Sequence, residues 1–456
     1  LKGSEGFIYY INLSNDNYKL GGSSFGQINN KIGNDAPTIK DTNNFKKTFN
    51  LIQNLIKEDK ILSGHDISSG GLITSLFEMC FTDNSVGMDI DLTTLKEEDI
   101  VKILFSENSG IIFQSKSKLN QFFDKEEISF HEIGKVVNSD YLNIKNYDNT
   151  YSFNISKYRD IWFSTSYHFD KIQTKNKLAR KRFENYKNQP LEFVFPKRFT
   201  GKILKNNNKI NAAIIREKGS NSEREMAYMM SLSGFNVKDV HMTDIISGRE
   251  NLEDIKLLVA VGGFSNSDVL GSAKGWAGSF IYNKKAKQTL NNFFNRDDSM
   301  SLGVCNGCQL FIELGLINNN HDKKPKMAHN DSGKFECIFT SVKIQESSSI
   351  MMKGMEGSNI GVWAAHGEGK FIFPYDESKY LIPAKYSYNE YPANPNGSNY
   401  NAAMLTSDDG KHLVMMPHLE RSIYPHNWAH YPKNRKDEVS PWIISFDNAY
   451  NWLKNK

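Results

Sequence analysis

The sequence predicts an α/β protein, with a central, mostly parallel sheet in its C-terminal half and a mixed α and β segment ahead of it. Three observations carry this. From about residue 208 onward, strand-like and helix-like segments alternate, the pattern of a parallel sheet covered by helices. Residues 256–261, Lys-Leu-Leu-Val-Ala-Val, are a short and largely apolar run that ends in Gly262-Gly263, as a buried strand does. Residues 301–311, Ser-Leu-Gly-Val-Cys-Asn-Gly-Cys-Gln-Leu-Phe, read as strand, tight turn and helix, with Cys305 on the turn.

The elements follow in order. Residues 1 to about 145 mix strands and helices and carry a glycine-rich stretch at residues 20–26. Residues 45–58 read as an amphipathic helix through Phe45, Phe49, Ile52, Leu55 and Ile56, and a second helix follows Gly70-Gly71 through Leu72, Leu76 and Met79. From about 146 to 205 the pattern weakens and turns basic, with Lys171, Lys175, Lys177, Arg180, Lys181 and Arg182 in a dozen residues. This stretch reads as a mostly helical, solvated linker. Beyond it come a strand at 210–215, a helix at 222–232, the strand at 256–261, a further helix, and the strand Met300, Leu302, Val304 that leads into Cys305. Gly262-Gly263 and Cys305 both fall at carboxyl ends of strands, where open α/β sheets place their sites.

Composition narrows the class. A chain of 456 residues is long enough for two or three cores. The 56 basic residues nearly cancel the 52 acidic ones, so the net charge of +4 gives no reason to expect a nucleic-acid or membrane partner. Four cysteines do not make a disulfide framework, which points to a reducing, cytoplasmic compartment. No apolar run is long enough to span a bilayer, and no signal peptide is visible.

Cys305 lies between Gly303 and Gly307, and glycines at these positions let the backbone fold sharply around a nucleophile elbow. The helix behind the turn places its N-terminus at the sulfur, a setting that favours the reactive thiolate. Cys80 and Cys337 have no such flanks and read as buried structural cysteines. A cysteine nucleophile needs a base, and the base needs an orienting group. Two pairs qualify: His366 with Glu368, and His418 with Glu420. On an extended segment residues two apart face the same way, so spacing leaves both open.

Gly303-Val-Cys-Asn-Gly-Cys-Gln309, followed by Met416-Pro-His-Leu-Glu-Arg421, resembles a triad-type class I glutamine amidotransferase. The resemblance extends through Arg216-Glu-Lys-Gly219, Glu225-Met-Ala227, Asp239-Val-His-Met-Thr-Asp244, Gly262-Gly-Phe-Ser265, Asp268-Val-Leu-Gly271 and Gly275-Trp-Ala277. It continues in His366-Gly-Glu-Gly369 and Asn394-Pro-Asn-Gly-Ser398. Together these are similar to the glutaminase domain of the large, single-chain phosphoribosylformylglycinamidine synthases of purine biosynthesis. The first segment resembles the C-terminal half of that family's second, aminoimidazole-ribonucleotide-synthetase-like unit. It does so through Leu20-Gly-Gly-Ser23, His65-Asp-Ile-Ser-Ser-Gly-Gly-Leu72, Glu78-Met79 with Phe81, and Phe105-Ser-Glu-Asn-Ser-Gly110.

The resemblance implies a synthetase half over 1–145, a linker over 146–205 and a flavodoxin-like glutaminase over 206–456. It assigns Cys305 as nucleophile, His418 as base and Glu420 as its partner, and gives His366 no triad role. Leu419 stands where the family usually has proline. The backbone amides of Gly263 and Asn306 are the expected oxyanion donors; one such donor is worth ~3 kcal/mol. In the first segment Asp66 is expected to bind Mg²⁺ and Ser68 to lie against ATP or ADP, although Ser69 stands where the family commonly has aspartate. Apart from the resemblance, Asp66 and Ser68 read as caps of the helix that follows.

Glutamine, formylglycinamide ribonucleotide and an N-terminal remainder of the same polypeptide are the implied partners. Two other readings compete: the glutaminase of a different ammonia-dependent ligase, and a non-catalytic cysteine-elbow module that binds or regulates.

Overall fold

Parallel strands whose side chains are buried on both faces read as near-continuous apolar runs, and Leu257–Ala260 is the clearest of them, with every residue inaccessible. A computed structural model describes residues 1–82, 85–188, 191–204, 206 and 209–456. The chain divides into two units, Leu1–Ser166 and Tyr167–Lys456.

The first unit is built on a seven-stranded sheet. Its strands are β1 (Phe7–Asn12), β2 (Ile61–Ile67), β3 (Gly87–Asp91), β4 (Gly110–Ser115), β5 (His131–Val137), β6 (Tyr141–Asn146) and β7 (Asn149–Asn154), in the spatial order β2-β4-β1-β5-β3-β6-β7. All neighbours are antiparallel except β3 and β6. The helix Gly71–Cys80 buries Leu72, Leu76 and Met79, as its periodicity predicts. The helix Thr42–Lys57 also forms, capped by Asp41 and burying Ile52 and Leu55. Here two expected core residues are corrected: Phe49 and Ile56 are 50% and 44% exposed. The buried stripe runs instead through Thr48, Ile52 and Leu55, narrower than the apolar pattern suggests.

The second unit carries the predicted doubly wound sheet. Its strands β8 (Ile210–Arg216), β9 (Phe235–His241), β10 (Leu257–Ala260), β11 (Met300–Val304) and β18 (His412–Met415) are all parallel. Their spatial order, β9-β8-β10-β11-β18, is the flavodoxin-like order, closed at the β18 edge by the antiparallel strand β17 (Met404–Thr406). Between β11 and β17 the chain inserts β12 (Lys326–Ala328), β13 (Glu336–Ile344), β14 (Asn359–His366), β15 (Lys370–Ile372) and β16 (Ala384–Tyr386). These form a β14-β13-β16 sheet and a β12-β15 pair, both antiparallel.

The basic stretch also needs correction. It does form helices, Ile155–Gln173 and Leu178–Asn185, but it is not uniformly solvated. Arg182 bonds Asp170 at 2.9 Å and the buried Glu336 at 2.7 Å, and it also meets the Tyr391 hydroxyl. Cys337 is the other correction. It is exposed, because on β13 it alternates with the buried Glu336. Cys80 is buried, as expected.

Candidate active site

Strand β11 delivers Cys305 to the carboxyl edge of the parallel sheet, and the helix Asn306–Glu313 begins at the next residue. Cys305 takes φ 52° and ψ −106°, a conformation that L-residues avoid unless their surroundings impose it. The flanking glycines are what permit this turn. A Cβ at Gly307 would lie 2.0 Å from the Ala260 carbonyl oxygen, and one at Gly303 would lie 2.6 Å from the Gly307 carbonyl oxygen. Only two bare backbones can pass this closely, so the elbow is a packing requirement of the β10–β11 edge.

The histidines come from two neighbouring segments. After β18, His418 is fixed by its own amide, which donates to the Trp363 carbonyl oxygen at 2.7 Å. Its Nδ1 lies 2.6 Å from Glu420 Oε1, and both side chains are inaccessible. An ionised carboxylate can only accept, so Nδ1 carries the proton and Nε2 is left for chemistry. Burial disfavours the His418 imidazolium, but the Glu420 carboxylate and the Cys305 sulfur outweigh it and raise the imidazole above its ordinary range. Burial likewise opposes ionisation of Glu420, and His418, aided by Arg421, overrides it and lowers that carboxyl.

Cys305 and His418 line the same cavity of about 230 Å³, along with His366, Asp268, Glu368 and Arg421. The approach is close at Gly262, where a Cβ would sit 2.8 Å from His418 Cε1 and 3.5 Å from Cys305 Cβ. The Sγ–H points to the Ala365 carbonyl oxygen at 3.8 Å, and Nε2 of His418 has no hydrogen-bond partner.

His366, the competing base, lines this cavity too but is not oriented by Glu368. Glu368 Oε2 accepts from the Ser272 amide at 3.2 Å, and neither ring nitrogen of His366 has a partner. Burial and the neighbouring His418 push His366 down to about 3, so its imidazole is neutral. Of the two pairs open in the sequence, only His418 and Glu420 are joined.

Gly263 and Asn306 carry the backbone amides expected as oxyanion donors. Gly263 occupies the non-hydrogen-bonded position of a bridge with Ser220, whose flanking bonds run from Asn221 N–H and Phe264 N–H. Asn306 is the first residue of its helix, and among the described residues neither N–H donates a backbone hydrogen bond.

The side chains of Asp268, Asn306 and Gln309 lie in segments that carry the resemblance, but no sequence signal placed them at the cavity. Asp268 is brought in by a run of left-handed backbone at Asn266, Ser267 and Asp268. The Asn306 side chain donates to Gln309 Oε1 at 2.9 Å, and Gln309 Nε2 donates to the Glu368 carbonyl oxygen at 2.7 Å. None of these has a periodicity or spacing signal; their roles arise only when the loops converge.

In the first unit, Asp66 is the penultimate residue of β2, with its side chain 79% exposed and 3.5 Å from His65 Nδ1. Ser68 is exposed, and its carbonyl accepts from Gly71 N–H. Neither caps the following helix, which starts from the left-handed Gly70 without a side-chain cap. Among the described residues no three His, Cys, Asp or Glu side chains converge as a metal site. Asp66 is thus a single exposed carboxylate, able to give an ion one oxygen ligand but not a self-contained cage.

A strained cysteine elbow on a doubly wound sheet, with a buried His–Glu pair beside it, defines the triad-type amidotransferase class. The chain belongs to the CobB/CobQ-like glutamine amidotransferase domain family, which it matches over residues 209–453. Residues 14–145 match the C-terminal domain of AIR synthase related proteins. Phosphoribosylformylglycinamidine synthase of Dictyostelium discoideum is 35% identical over 97% of this chain and 36% of its own length. The Arabidopsis thaliana relative, named as the probable chloroplastic/mitochondrial form of that enzyme, is 38% identical over 100% of this chain and 34% of its own. The chain thus spans about a third of the curated relatives it matches. A solved structure of PurLQS from Thermotoga maritima aligns with a TM-score of 0.42 and 21% identity, over 54% of this chain and 99% of that one.

Proposed function

We propose that residues 206–456 are a glutaminase that releases ammonia from glutamine through a thioester on Cys305. The observation that carries this reading is the buried His418–Glu420 pair beside the Cys305 elbow in one cavity. Nε2 of His418 takes the Sγ proton as sulfur attacks the side-chain amide carbon, and the amide electrons move to oxygen. The N–H groups of Gly263 and Asn306 receive that oxyanion. His418 then gives the proton to the leaving nitrogen, so ammonia departs and a glutamyl thioester remains. Water attacks the thioester, His418 accepts its proton, and glutamate leaves with Cys305 restored.

In this reading the ammonia serves formation of formylglycinamidine ribonucleotide from formylglycinamide ribonucleotide; the relatives are named as synthases of that amidine. In this reading ATP activates the formamide oxygen and ammonia displaces phosphate. Residues 1–145 supply the C-terminal half of a synthetase unit, 146–205 link it to the glutaminase, and an N-terminal remainder of the same polypeptide completes the enzyme. Asp66 would hold Mg²⁺ bound to nucleotide phosphates and Ser68 would lie against the nucleotide; the ion's part is to neutralise phosphate charge. The proposed compartment is cytoplasmic, and among the described residues no helix is long and apolar enough to cross a membrane.

The test is carried out in the full polypeptide. Cys305→Ala is expected to abolish glutamine-dependent formation of the amidine while ammonium salts still support it. Loss of both, in a variant that remains folded, would contradict the division of labour.

A further inference from the structure

The two expected oxyanion donors belong to different segments, and one buried side chain joins those segments. Gly263 lies in the loop between β10 and the helix Lys274–Ile281, whereas Asn306 opens the helix behind the elbow. The Asn306 side chain is inaccessible and makes three hydrogen bonds. Its Oδ1 accepts from the Ser265 amide at 3.2 Å, and its Nδ2 donates to Gln309 Oε1 at 2.9 Å and to Asp268 Oδ1 at 3.4 Å. An aspartate of the same size could only accept, and a leucine could do neither.

The Gly263 loop needs such an anchor. Asn266, Ser267 and Asp268 follow one another at φ 52°, 57° and 50°, a run that L-residues hold only where their surroundings fix it. On one side the loop is pinned by Phe264 N–H on the Gly219 carbonyl oxygen at 2.9 Å and by Asn266 N–H on that of Lys218 at 2.7 Å. On the other side it meets the elbow helix. Among the described residues, the hydrogen bonds between this loop and that helix all come from the Asn306 side chain.

From this juxtaposition we propose that the Asn306 side chain is a positioning residue, setting the separation of the Gly263 and Asn306 amides so that both reach one developing oxyanion. This rests on the glutaminase reading above and deepens it. Oxyanion donors act only at hydrogen-bond distance from the place where the charge develops, so a small drift of the Gly263 loop weakens the transition state. The ground-state amide depends on them less, and the loss falls on kcat rather than on KM. The Asn306 N–H itself survives a change of side chain. A loss on substitution therefore reports the geometry of the pair and not a missing donor.

The experiment measures two reactions of Cys305 in the full polypeptide, for wild type, Asn306→Ala and Asn306→Leu. One is glutamate release from glutamine. The other is alkylation by iodoacetamide, followed on the Cys305 peptide by mass spectrometry. Alkylation forms a sulfur–carbon bond and expels iodide with no oxyanion, so it reads only the thiolate and access to it. Both variants are expected to lose roughly 10- to 100-fold in kcat, with KM within about threefold and alkylation within about twofold of wild type. Leucine fills the space without the bonds, so equal losses in the two variants trace the effect to the bonds. Unchanged kcat in Asn306→Leu overturns the inference, and so does alkylation that falls as far as kcat, because a distorted elbow would slow both. If wild type releases no glutamate and forms no thioester, the glutaminase reading itself falls, and this inference with it.

Discussion

Glu420 Oε1 accepts a 2.6 Å hydrogen bond from His418 Nδ1 in a setting from which water is excluded at both residues. Charge-assisted bonds of this kind fix a tautomer and favour the imidazolium that forms as the base takes a proton.

Replacing Glu420 by glutamine keeps the size but removes the charge that raises His418. The variant is expected to lose roughly 10²- to 10⁴-fold in kcat with little change in KM. Its pH–rate profile should shift as the imidazole becomes less basic. Steady-state glutamate release across pH measures both.

Stability should follow the same pair with a definite sign. The His418 imidazole is raised in the folded state, so its contribution is complete below its ordinary value of 6.5 and is lost as pH climbs through the raised value. Glu420 is lowered, so its contribution is present above 4.5 and is lost as pH falls through the lowered value. His412 works the other way: burial beneath Phe294 holds it down to about 4. His366 is held lower still. The unfolded chain binds more protons than the folded one at these two sites below pH 6.5, so they destabilise on acidification. Urea midpoints at pH 7.5 and 5.5 are expected to fall with pH, and less steeply in His412→Gln.

The elbow tolerates no side chain at its tightest point. Gly307→Ala places a methyl group against the Ala260 carbonyl and is expected to cost about 3 kcal/mol or more. Thermal denaturation should show a large loss of Tm, and a Tm within a degree of wild type would contradict the packing.

In the basic stretch the outcome depends on burial. Arg182→Ala leaves Glu336, 4% exposed, without its cation and is expected to cost about 3 kcal/mol. Arg180→Ala removes only an exposed pair with Glu184 and is expected to leave the Tm unchanged. Calorimetry of the two variants separates these cases.

That contrast marks where the sequence is informative. Apolar periodicity located the buried parallel strands and the helix after Gly70-Gly71, because burial on both faces or on one wide stripe leaves a pattern in composition. It overestimated Phe49 and Ile56, where the buried stripe is narrow. The glycines around Cys305 were legible because only a backbone clash demands them. The partner of Cys305 was legible only through resemblance and not from spacing: His366 and His418 stand at the same distance in sequence from a glutamate, and in the fold Glu368 turns to the Ser272 amide instead. Asp268 was invisible as a pocket residue, since three left-handed residues in a row have no compositional signature beyond asparagine, serine and aspartate.

The most direct measurement is glutamate release from glutamine, with acid-trapped thioester on Cys305, in wild type, Cys305→Ala, His418→Ala and His366→Ala. The expected result is turnover in wild type, none in Cys305→Ala, a loss of roughly 10³-fold or more in His418→Ala, and retained thioester formation in His366→Ala. Thioester formation that survives His418→Ala but disappears in His366→Ala would contradict the triad.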